Sequence, residues 1–74
     1  MKPSTWIKKN ATCPIIAAEA IELFNTSLVQ FQLSSDEIKQ SYIKQLKDNL
    51  KWSEIFYAEK YVLAAKAFLK YIIK

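Results

Sequence analysis

Apolar residues recur at helical spacing along most of the chain. Ala17, Ile21, Phe24, Leu28 and Phe31 follow one another at intervals of four and three, which puts them on one face of a helix. Ile16, Ala20 and Leu23 widen that face. Pro14 suits the first helical position, because the N–H it lacks would have no intrahelical partner there. The pattern predicts a first long helix from about Pro14 to Leu33, with Thr12 or Cys13 at its cap. Asn25, Thr26 and Ser27 are weak helix formers in a row and mark a point where it can bend.

Ser34 followed three residues later by Glu37 reads as a capping box, with Asp36 as a second acid favoured by the helix dipole. A second helix then runs to about Leu50, with Ile38, Tyr42, Ile43, Leu46 and Leu50 forming a narrower apolar stripe. Ser53 can cap a third helix that continues toward the C-terminus. This last segment carries two stripes. Ile55, Ala58, Val62, Ala65, Leu69 and Ile72 form one; Tyr57, Tyr61, Ala64, Phe68 and Tyr71 form the other. Together they cover about 200° of the helix, wide for a surface helix. Such a helix is either central in the bundle or meets another chain.

These elements predict an all-α fold, a small three-helix bundle with a short ordered N-terminal leader. Residues 1–12 are the leader and 13–74 a single helical domain. Ser4 or Thr5 is the expected cap of a turn that folds Trp6 and Ile7 back onto the body. The expected core is Ile16, Ile21, Phe24, Leu28, Phe31, Ile38, Leu46, Ile55, Val62 and Leu69.

Composition sharpens this picture. The 74 residues are 51% hydrophobic, too apolar for a disordered chain. Glycine is absent, which disfavours tight hairpins and removes the Gly-dependent nucleotide-binding motifs. Histidine is absent too, so there is no ordinary catalytic triad, imidazole metal site or near-neutral proton shuttle. One cysteine cannot build a zinc cluster. Glu19 and Glu22 share a helix face, but two solvated acids near a helix start explain them. The expectation is a protein that is not an enzyme and has no cofactor, metal or small-molecule substrate.

Cys13 has no partner for an intramolecular disulfide, and Glu19 and Glu22 interrupt the apolar stretch that follows Lys8 and Lys9. No run reaches the length of a membrane span. Both features point to a soluble cytoplasmic protein. Two glycosylation sequons, Asn10-Ala11-Thr12 and Asn25-Thr26-Ser27, are read as chance in that setting. A thiol at a helix start near two lysines can be reactive, but free cysteines are commonly buried and inert, and that is the expected reading of Cys13.

The net charge of +4 is unevenly placed, and every basic residue is Lys. Residues 1–38 hold three Lys against four acids, and residues 39–74 hold eight Lys against three acids. A basic half of this kind can face an acidic protein, a nucleic acid or an anionic membrane. The tyrosine stripe favours the first, because rings with polar tips are enriched at protein interfaces. The leading expectation is a small non-catalytic protein-protein interaction module, such as an adaptor, inhibitor, immunity-type protein or accessory subunit. Its partner, another protein or a second copy, would meet Tyr57, Tyr61, Phe68 and Tyr71. The alternative is a nucleic-acid-binding regulator using Lys44, Lys47, Lys51, Lys66 and Lys70. Against it stand the lack of Arg and of a helix-turn-helix signature. A membrane-surface role for the last helix ranks below both.

Overall fold

Proline and serine set half of the helix boundaries among the described residues. The computed structural model describes residues 1–51 and 58–73. Pro3 occupies the first turn of helix α1, Pro3–Asn10, and Lys2 sits at its N-cap in extended conformation. Lys8 and Lys9 lie in its last turn, where the helix dipole favours cations. Cys13 is extended because the ring of Pro14 disfavours the helical region for the residue before it. Pro14 then starts α2, Pro14–Leu33, as the pattern predicts. Helix α3, Asp36–Leu50, and helix α4, Glu59–Tyr71, complete the described chain. Among the described residues there are four helices and no strand.

The described residues are all-helical, and the expected count of three helices is corrected: four are present among them. The extra helix is α1, where only a short turn was expected. Neither Ser4 nor Thr5 caps it; both lie inside it. The expected capping box does not form: the cap is one residue later, and the third helical position is then Ile38, which has no side-chain acceptor to reach back. Ser34 closes α2, its Oγ donating to the Gln30 carbonyl at 2.7 Å. Ser35 is the N-cap of α3 and accepts from the Ile38 N–H at 3.4 Å. Two consecutive extended serines thus split the work of ending one helix and starting the next. The expected cap Ser53 and core residue Ile55 lie outside the described residues.

No described residue has a positive φ. A glycine-free chain has little access to left-handed caps. Accordingly α1 and α2 end on the extended residues Ala11 and Ser34.

The core lies mainly between α2 and α4, the most extensively packed pair, and α1 covers one end of it. Its buried residues are Ile7 from α1, Ala17, Ala20 and Phe24 from α2, and Leu63, Ala64, Ala67 and Phe68 from α4. Four of these eight are alanines, two from α2 and two from α4, and such small side chains let helices approach closely. Phe68 is the hub of an aromatic cluster, with ring centroids 5.9 Å from Phe24, 5.2 Å from Phe31 and 5.4 Å from Tyr42, each edge to face. Such pairs contribute about 0.5–1.5 kcal/mol each beyond the area they bury.

The expected core holds for α2 and fails for α4. Phe24 is buried, and Ile16, Ile21, Leu28, Phe31 and Leu46 are half-buried against the cluster. Val62 and Leu69 are only half-buried and are not among the residues packed against the cluster, whose α4 face is Leu63, Ala64, Ala67 and Phe68. Ile38, expected inside, is 59% exposed in the first turn of α3. Helix α3 contributes no buried residue and rests mainly on α4 through Tyr42 and Leu46.

Two polar contacts fix the start of α4. The Thr12 N–H donates to Glu59 Oε2 and its hydroxyl to Oε1, each at 2.9 Å. This joins the α1–α2 connection to the first turn of α4. One residue on, Lys60 Nζ lies 2.8 Å from Glu19 Oε2 of α2. That bond and the charge of Glu19 hold the Lys60 ammonium above its ordinary pKa, against a small opposing effect of burial.

Candidate functional site

Helices α2, α3 and α4 do not close on one another along their whole length. Between them lies a groove of about 260 Å³. Leu23 and Ser27 of α2 form one end, and Ala64 and Phe68 of α4 form the floor. Tyr42, Leu46, Asn49 and Leu50 make the α3 wall, and Tyr61, Val62 and Ala65 make the α4 wall. The lining is mostly hydrocarbon and aromatic ring. Its volume is below the roughly 300–1,000 Å³ of pockets that enclose small molecules, so it suits side chains of a partner better than a cofactor.

The groove reassigns the expected aromatic face. Tyr61 is 49% exposed at the rim, with the Lys60 ammonium 5.3 Å from its ring centroid. Phe68 is 1% exposed and belongs to the core, where three other rings hold it at the floor of the groove. Tyr71 is half-buried beyond the groove, with the Lys70 ammonium 5.9 Å from its ring centroid. Tyr57 lies outside the described residues. The α3 wall was not anticipated at all. Its signal was Tyr42, Leu46 and Leu50 at spacings of four, read only as a route to the core.

The lysines split into two groups. Lys44, Lys47 and Lys51 line a shallow strip of α3 with Gln40, Ile43 and Asp48. Lys51 approaches Asp48 only at 4.0 Å, both well exposed. Lys66 and Lys70 stand one turn apart on α4 and take no part in that strip. Cys13 is a half-buried N-cap residue beside a separate depression at the start of α2. Among the described residues no group of His, Cys, Asp or Glu could hold a metal ion, and no helix is long and apolar enough to cross a membrane.

A small all-helical protein with an open apolar groove among three of its helices is the class that fold and site define. Comparison with known protein families, with curated proteins and with solved structures finds no match.

Proposed function

We propose that the chain is a small non-catalytic interaction module that docks a protein partner in the groove between α3 and α4. The observation that carries this is the groove itself, with apolar walls from two helices and Tyr61 half exposed at its rim. Bulky rings with a polar tip at the edge of an apolar depression are the usual anchors of protein recognition. The reading keeps the C-terminal helix as the contact element and replaces Phe68 and Tyr71 with the two facing walls.

Two substitutions test it without opening the core. Tyr61→Ala removes the rim ring, and Ala65→Gln fills the groove with a good helix former. A partner captured stoichiometrically from nuclease-treated lysate by the natural chain should be lost from both variants, while far-UV circular dichroism and the thermal melt stay close to the parent. Retention by both variants rules the groove out.

The strip of Lys44, Lys47 and Lys51 supports a second reading, a nucleic-acid contact through the phosphate backbone. Its mark would be affinity for duplex or single-stranded probes that falls steeply with salt and is removed by changing these three lysines to Gln.

A further inference from the structure

We infer that the occupant of the groove is an amphipathic helix with acidic flanks. This rests on the docking reading above and adds the chemistry of the partner. The groove is walled by helices, and no described strand offers an edge for strand addition. An apolar groove between two helices, with Phe68 at its floor, suits an amphipathic helix, which is recognised by large apolar residues at i, i+3 or i+4, and i+7.

The sign of the flanks follows from the charges at each wall. Residues three and four apart share a helix face, so Lys47 stands beside Leu50 on α3 and Lys66 beside Val62 on α4. Both lysines are exposed. Of the described acids of this region, Glu59 accepts from Thr12 at 2.9 Å, and Asp48 stands 4.0 Å from Lys51. Lys60 is paired with Glu19 and Lys51 faces Asp48, which leaves Lys44, Lys47, Lys66 and Lys70 as the remaining described lysines from residue 44 onward. An apolar groove with a lysine beside each wall favours Asp and Glu on its guest and repels Lys and Arg, which sets specificity and encounter rate.

The test is a display selection of a helix-biased peptide library on the immobilised full chain, followed by measured affinities of the winners. Winners should be amphipathic with Asp or Glu on the flanks. They should lose binding to the Tyr61→Ala and Ala65→Gln chains, and bind the Lys47→Glu, Lys66→Glu chain roughly tenfold or more weakly. Raising salt should weaken them further. Neutral or basic winners that still depend on Tyr61 and Ala65 overturn the acidic partner and leave the docking groove standing. Winners indifferent to Tyr61 and Ala65, or no winners, overturn both. A dimer in sedimentation that Ala65→Gln converts to monomer assigns the groove to a second copy instead. Enrichment only after Trp52 and Phe56 are changed to Ser assigns it to the chain's own residues and overturns the partner.

Discussion

Phe68 shows how far a side chain's role depends on the turn of its helix. By spacing it belongs with Tyr61 and Tyr71, and in the structure it is the most connected ring of the core. The reason is that α4 is apolar over about 200° of its circumference, so its pattern does not say which part of that arc faces inward. Alanine decides it: Ala64 and Ala67 pack against the face of α2 that carries Ala17 and Ala20, and small residues give little signal in a hydrophobic pattern. This phase is testable in urea melts. Phe68→Ala should cost about 3–5 kcal/mol, while half-buried Leu69→Ala costs markedly less. The reverse order would mean α4 is turned the other way. Lys60 gives a second residue-level test. Its folded-state pKa is raised, so the folded chain holds that proton more tightly than the unfolded chain. The stabilisation is therefore fully present below the ordinary lysine value of 10.5 and is lost as pH rises through the folded pKa. Tyrosines and other lysines titrate in the same window, so the comparison is with Lys60→Met. Above pH 10.5 the parent should lose stability more steeply than the variant; equal slopes would show that the Glu19 contact contributes nothing.

Among the elements, α2 was the most legible and α3 the least secure. Pro14, the regular apolar face and the helix-start signal at Ser34 bound α2 in the sequence itself. Helix α1 was hidden because eight residues give barely two turns of periodicity, although Pro3 marks a helix start. The groove needs α3 and α4 side by side, which no spacing within either helix reveals. Helix α3 has a serine cap and two acids in its first turn, yet buries no residue and leans on the core through Tyr42 and Leu46. Local opening is easiest where few apolar contacts are made. Native-state hydrogen exchange should find the α3 amides opening at clearly lower free energy than the central amides of α2 and α4. If the slowest α3 amides match those of α2, the groove wall is as rigid as the core, and a guest helix meets a fixed shape rather than an adjustable one.

At the scale of the whole molecule the question is whether α1 is part of the cooperative unit. A chain of 74 residues has about 4–11 kcal/mol of stability at the usual 0.05–0.15 kcal/mol per residue. No single contact can be spared easily at that level. Ile7 is fully buried against α2 and α4, and Thr12 just beyond α1 holds Glu59 at the head of α4. The N-terminal segment therefore seals one end of the core instead of trailing from it. Ile7→Ala should cost about 2–5 kcal/mol, a large part of the total. A Trp52→Phe background leaves Trp6 as the single tryptophan, reporting α1 alone. In that background, Trp6 fluorescence and far-UV circular dichroism should follow one urea transition, and Ile7→Ala should move both midpoints down together. Should Trp6 fluorescence change well before the helical signal, with the later transition unmoved by Ile7→Ala, α1 would be an appendage. The core would then be a three-helix arrangement without it.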